Sequence, residues 1–299
     1  MTDPFVIETT ELYKNYGVVE ALRGLNLQVP RGSIYGFLGR NGAGKTTTIK
    51  VLLGMVRASG GLARVFGLPS GTKEMGVAIR RGAGFVSEDK DLYDYMTVEE
   101  MIRFTAAFYM GWRSDLERRY LRAFELPAER KVRTLSRGMR TKLALLLSLC
   151  RGVELLILDE PTSGLDPAMV EEVLQALVAH VSDQETTVFF SSHQIAEVDQ
   201  IADSVTVMHR GRAVVSGALD DLRESYRRIQ LVFEGEAPEP ALRAPGIARV
   251  RRNGRVLTVL SSAGAEGVLD ETRRLQPVSV DVTPVTLKEI FLETVTEEE

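Results

Sequence analysis

An α/β fold built on a mostly parallel sheet is predicted by three observations. Strand-like runs alternate with helical patterns through the first two-thirds of the 299 residues. Three of those runs, 33–38, 155–158 and 187–190, are predominantly apolar on both faces, as suits central strands covered on both sides. Each is followed at once by glycine or polar residues, and open α/β sheets bind ligands at the carboxyl ends of such strands.

The elements between and after these strands follow in order. From about Thr97 to Leu149 the pattern is helical, with Val98, Met101, Ile102, Thr105 and Phe108 approximating one apolar stripe and 140–149 another. This predicts a helical insertion, about 92–150, in the α/β body. Its aromatic residues Tyr93, Tyr95, Phe104, Phe108, Tyr109 and Trp112 are read first as packing within the insertion, with a partner-facing surface as the lesser reading. After Gly217 the texture changes, and a Pro- and Glu-containing stretch, 234–240, interrupts weaker strand patterns. A strand at 228–233, a hairpin around Asn253 and Gly254, a helix at 265–275, a strand at 277–282 and a helix at 287–295 predict a small α+β domain. The division is therefore 1–217 and 218–299.

Composition narrows the function. With 44% hydrophobic residues the chain can bury a full core, yet no apolar run approaches the ~20 residues of a membrane span. No basic, apolar and small-residue leader pattern opens the sequence, so a cytoplasmic protein is expected. Cys150, the single cysteine, ends an apolar helical run and reads as a buried thiol. A net charge of −4 gives no basic footprint for nucleic acid, and the acidic Glu297, Glu298 and Glu299 read as a solvated end.

The first chemical motif is Gly39-Arg40-Asn41-Gly42-Ala43-Gly44-Lys45-Thr46, a glycine, four residues, then Gly-Lys-Thr, lying between an apolar strand and a helix. Small residues let successive backbone N–H groups turn inward onto phosphate oxygens, and the helix N-terminus adds its positive end. Lys45 is placed to reach the terminal phosphates and Thr46 to offer a hydroxyl to Mg2+, with Thr47 beside it. The second motif is an apolar strand from Val153 that delivers Asp159 and Glu160 at its end. Asp159 is the expected magnesium residue, and Glu160 the candidate base for the water that attacks the γ-phosphate.

Taken together, these residues resemble the nucleotide-binding subunits of the ATP-binding cassette (ABC) transporter family. Further matches carry that resemblance over about 5–217. Tyr16 lies where the family sets an aromatic ring against adenine. Leu135-Ser136-Arg137-Gly138-Met139 is similar to the family signature, whose serine and glycine, here Ser136 and Gly138, touch ATP held by the other protomer. Ser163-Gly164-Leu165-Asp166 matches its dimer-contacting loop, and His193 closes the third strand where the family keeps a switch histidine. The resemblance also implies an N-terminal antiparallel β subdomain. The 287–292 segment is similar to the C-terminal extension of subunits that pair with ABC-2-type exporters.

Departures from the family pattern are equally visible. Glu88 stands in place of a glutamine that holds magnesium, adding a negative charge there. Arg137 replaces a signature glycine, putting a cation at a helix N-terminus, and phosphate of the opposing ATP and plain solvent exposure are two readings of it. Arg40 reads as solvent-facing. His180 and His209 have no functional neighbours in sequence and read as surface or loop residues.

The resemblance implies an ATP hydrolase, working with ATP and Mg2+ as a head-to-tail dimer with a second copy or a related subunit. It implies polytopic permease subunits as partners and a place on the inner face of the membrane. A soluble ABC-type switch acting on a non-membrane assembly is the alternative. It is disfavoured because the chain holds one cassette and no long heptad insertion.

Overall fold

The computed structural model describes residues 4–239, 242, 244–262 and 265–295. The acidic residues 297–299 lie outside the described residues, so their reading as a solvated end stays an expectation. Two compact units result, Met1–Ala213 and Val214–Glu299, with the boundary a few residues before Gly217.

The first unit opens with β1 (Phe5–Tyr16) and β2 (Val19–Pro30), then β3 (Ile34–Gly39), α1 (Lys45–Leu52), β4 (Gly60–Val65), β5 (Leu68–Pro69), α2 (Lys73–Gly82) and β6 (Ala83–Val86). The insertion follows as α3 (Val98–Ala106), α4 (Ser114–Ala123) and α5 (Arg137–Leu149), after which the chain returns through β7 (Leu155–Asp159), α6 (Pro167–Gln184), β8 (Thr187–Ser192), α7 (Ile195–Ile201) and β9 (Ser204–His209), and β10 (Arg212–Ala218) runs across the unit boundary. Strands β2, β1, β4 and β5 form an antiparallel sheet in that order. A second sheet has the order β10-β9-β3-β8-β7-β6, and β9, β3, β8, β7 and β6 run parallel. Its three central strands are the three apolar runs of the sequence, and every residue of β3, β7 and β8 is buried.

Physical causes of the local elements are easily named. Phe37 and Phe189 tilt against each other across β3 and β8 at 5.1 Å, and the Tyr35 hydroxyl is tied to Thr206 Oγ1 at 2.7 Å so that its polar tip is not left unsatisfied in the core. Helix α3 starts on a capping box: Glu100 N donates to Thr97 Oγ1 and Thr97 N to Glu100 Oε2, which together contribute about 1 kcal/mol. Asp166 caps α6, accepting from Met169 N, and Pro167 supplies a preset first turn.

Two expectations are refined here. His180 is neither on the surface nor in a loop: it is 3% exposed on α6, and its ring nitrogen Nδ1 lies 3.1 Å from the Tyr120 hydroxyl. The reason is helical periodicity, because Val173, Leu174, Leu177 and His180 fall on one buried face. Of the insertion aromatics, Tyr95, Tyr93, Phe104 and Phe108 touch ring to ring yet all four stay exposed, whereas Tyr109 lies under the Arg151 guanidinium and Trp112 donates to Glu117. They pack mainly on each other. Cys150 is fully buried, and burial pushes its thiol up to about 12.

The second unit contains α8 (Leu219–Ser225), β11 (Arg227–Val232), β12 (Ile247–Asn253), β13 (Val256–Ser261), α9 (Ala265–Arg273), β14 (Ser279–Pro284) and α10 (Leu287–Val295). Its antiparallel sheet has the order β12-β13-β11-β14, and Ile229, Leu231, Leu257, Val259 and Val268 form its core. Arg249 and Arg251 both approach Glu293 of α10, at 3.5 and 3.2 Å.

Candidate nucleotide site

Strand β3 ends at Gly39 and the chain turns over Arg40–Gly44 into α1. Gly44 is the residue before the helix, with φ 108°, and a Cβ there would come within 2.8 Å of the Ala21 carbonyl oxygen and 2.9 Å of Leu22 Cδ2. Only glycine closes this turn without displacing its neighbours. No side chain caps α1, so its first-turn N–H groups remain for an anion. The turn is held from outside by Gly211, which donates to the Ala43 carbonyl at 3.0 Å, while Gly211 in turn accepts from Arg23 N at 2.9 Å.

Lys45 folds back over the turn. It is 6% exposed, its Nζ donates to the Gly39 carbonyl at 2.7 Å, and it stands 3.0 Å from Glu160 Oε1. Glu160 is 5% exposed, and its other oxygen, Oε2, meets His193 Nδ1 at 2.8 Å. A buried carboxylate is thus bracketed by two cation-capable groups, one from the first turn of α1 and one from the loop after β8. Its Oε1 lies in ion-pair reach of Lys45 yet lacks a hydrogen bond of good geometry. Glu160 also has φ 48°, a left-handed backbone that costs a side-chain-bearing residue about 1–3 kcal/mol and is found where the surroundings over-determine it. Ser191 supplies part of that determination: its hydroxyl accepts from Glu160 N at 3.0 Å and donates to Asp159 Oδ1 at 2.7 Å.

A cleft of about 490 Å³ opens over this arrangement, lined by Asn41, Lys45, Thr46, Thr47, Glu88 and Glu160 among others. Gly42, Ala43 and Gly44 line it as well, and Gly39 lies beneath through its bond to Lys45. The predicted cradle residues and Glu160 are therefore brought together. Ser136, Gly138, Asp166 and Tyr16 are not among the residues lining this cleft. Ser136 caps α5, accepting from Met139 N at 3.2 Å, and Gly138 is buried with Met169 against it. Asp166 is exposed apart from its capping bond. Tyr16 is exposed on β1, with Lys14 Nζ 4.7 Å from its ring centroid. Arg137 is exposed and lies across Gly164: a Cβ on that glycine would fall 2.2 Å from the guanidinium carbon. Arg40 is exposed too.

Hard oxygen donors suited to Mg2+ are present in the Thr46 hydroxyl and the Asp159 carboxylate, one oxygen of which is engaged by Ser191. Among the described residues no group of three or more His, Cys, Asp or Glu side chains converges to hold a metal by itself. That donor set fits an ion bound mainly through a polyphosphate rather than a resident metal.

Three cations of the neighbourhood escaped the sequence reading. Arg23 of β2 and Arg210 of the β9–β10 turn line the cleft, brought there by pairings far apart in sequence. Lys90 is 5% exposed with φ 51°, and its Nζ donates to the Glu88 carbonyl at 3.0 Å. Burial pushes the Lys90 ammonium below the ordinary lysine range, with Arg137 acting the same way and Glu88, Asp89 and Asp159 pulling it back. A lysine two residues after a loop carboxylate carries no signal of burial in the sequence.

The strand, turn and helix around this cleft put the protein in the P-loop class of nucleotide-binding proteins. Residues 22–163 match the ABC transporter family, and 217–295 match the C-terminal domain of DrrA1-3-like ATP-binding proteins. The chain is 33% identical over 297 residues to the bacitracin transport ATP-binding protein BcrA of Bacillus licheniformis, covering 96% of this chain and 95% of that one. It is 37% identical over 229 residues to the daunorubicin/doxorubicin resistance ATP-binding protein DrrA of Streptomyces peucetius, covering 73% and 67%. A solved ATP-binding subunit of an ABC transporter superposes with a TM-score of 0.66 at 29% identity, over 73% of this chain and 92% of that one. The chain belongs to the ATP-binding subunits of ABC transporters, and as such it binds and hydrolyses ATP. The soluble-switch alternative finds no support in these relatives. Among the described residues no helix is long and apolar enough to cross a membrane.

Proposed function

We propose that this subunit drives export by a separate polytopic permease, hydrolysing ATP at two sites formed between two copies of the chain arranged head to tail. The cluster in which buried Lys45 and Glu160 meet the exposed His193, at the carboxyl ends of β3, β7 and β8, carries the reading. In it Lys45 and the first-turn amides of α1 hold the phosphates, and Glu160 accepts the proton of the attacking water. His193 orients Glu160 and meets the terminal phosphate. Thr46, Asp159 and Glu88 would hold Mg2+, which neutralises charge on the phosphates when bound. Tyr16 stacks on the base. Ser136 and Gly138 at the start of α5, with Asp166, close over nucleotide held by the other copy, a two-fold arrangement in which each chain gives both halves. Export, and a position on the inner face of the membrane, are supported by the relatives named for bacitracin transport and for drug resistance.

Glu160→Gln tests the core of this reading. Hydrolysis is expected to fall by about 10²-fold or more with ATP binding retained, and ATP is expected to shift the variant to a dimer in sedimentation velocity. Turnover at the wild-type rate would remove Glu160 from its role, and a monomer at saturating ATP would remove the sandwich. Solubilising native membranes in mild detergent and purifying the chain should bring down a polytopic membrane protein in comparable amount.

A further inference from the structure

The loop that carries Glu88 is closed by a buried lysine. Lys90 N donates to the Ser87 carbonyl at 3.3 Å and to Ser87 Oγ at 3.2 Å, and Lys90 Nζ turns back to the Glu88 carbonyl at 3.0 Å. Holding this turn requires a left-handed backbone at Lys90 and the burial of an ammonium group, two unfavourable terms at one residue. Among the described residues no carboxylate lies within ion-pair distance of Lys90 Nζ. The charge therefore acts through space on its surroundings, where Glu88, Asp89 and Asp159 favour it and Arg137 opposes it. Glu88 shares the cleft with Glu160, so this site holds a carboxylate more than a glutamine in that loop would give.

We propose that Lys90 is a positioning residue of the nucleotide site, its buried ammonium fixing the Ser87–Lys90 turn and offsetting the negative charge of Glu88 so that the cleft accepts a polyphosphate. This rests on the placement of Glu88 in the magnesium site given above. Without Lys90, an incoming anion meets Glu88, Asp159 and Glu160 with one cation fewer beside Lys45, Arg23 and Arg210. With it, the loop carries no net charge of its own at those two positions. A purely structural lysine would act through its aliphatic stem, and Lys90→Met keeps that stem while removing the charge.

The test is a double-mutant cycle read by nucleotide binding. ADP affinity of the full chain is measured in excess chelator, so that no metal contributes, for wild type, Lys90→Met, Glu88→Gln and the double variant. Lys90→Met is expected to weaken ADP binding about tenfold when Glu88 is present, the size expected of one uncompensated charge a few ångströms off. The same change in Glu88→Gln should weaken it less than about threefold, and Lys90→Arg should stay within about threefold of wild type. Equal losses in both backgrounds, or no loss in either, overturn the proposal. Should Lys90→Met fail to fold, Lys90→Gln gives the same cycle with a neutral polar stem. The Mg2+ dependence of ATP binding in Glu88→Gln alone reports separately on the placement of Glu88: an unchanged dependence sinks that placement, whatever the coupling to Lys90 shows.

Discussion

Lowering the pH should destabilise the first unit through His180. Its imidazole is 3% exposed on α6, and burial, helped by the Arg119 charge, pulls its pKa down from 6.5 to about 4. The folded protein thus holds this ring neutral while the unfolded chain protonates it, so the unfolded state binds more protons between those two values. Stability is complete above the unfolded value and is lost as pH falls toward the folded one. Working the linkage from pH ~7 to pH ~5, the unfolded state gains about 2 kcal/mol and the folded state almost nothing, so about 2 kcal/mol of stability is lost. The assay is urea unfolding at both pH values, followed by the fluorescence of Trp112, the one tryptophan, which lies just before α4 in the same unit. His180→Asn keeps a polar atom near the Tyr120 hydroxyl and removes the titration, so its loss over the same interval should be smaller by that amount. Parallel losses in wild type and variant would refute the argument, because they would show that the folded protein takes up the proton without penalty.

Two glycines give further predictions. Gly44→Ala should abolish ATP binding and lower stability by about 1–3 kcal/mol, since the new Cβ meets the Ala21 carbonyl at 2.8 Å in a left-handed backbone; equilibrium binding of a fluorescent ATP analogue checks it. Gly138→Ala should cost about 1–3 kcal/mol because its Cβ falls 2.1 Å from Met169 Sδ, and Met169→Ala in the same chain should recover most of that in thermal unfolding.

Features legible in the sequence are those whose physics is local. Lys45, Thr46, Asp159 and Glu160 could be read because a glycine-rich turn and a strand end fix their neighbours within a few residues. The three central strands could be read because burial on both faces leaves them predominantly apolar, with polar residues such as Asp159, Ser191 and Ser192 at their ends. His180 was misread for want of testing its helix face, although Val173, Leu174 and Leu177 supply the pattern. Helix α8 was also missed; at seven residues it shows barely two turns of periodicity. Arg23, Arg210 and Lys90 were out of reach for a different reason. Their places depend on strand pairing and loop closure across the fold, as when Arg23 N meets the Gly211 carbonyl, and no spacing along the chain encodes that. The same holds for the order of the C-terminal sheet, where β14 lies beside β11 although the hairpin and a helix separate them in sequence.

The cap of α5 has a consequence for the dimer proposed above. Ser136 Oγ takes the Met139 amide through a lone pair, which leaves its own hydrogen unclaimed by that bond. A serine at a helix end commonly has a freely turning hydroxyl; here the accepted bond restricts the directions in which the hydrogen can swing. The contact that begins the helix therefore also readies an exposed donor within one chain. On the proposed head-to-tail arrangement, assembly would have less rotational freedom to freeze at this point, so the folding of one chain would already have done part of the ordering that association requires.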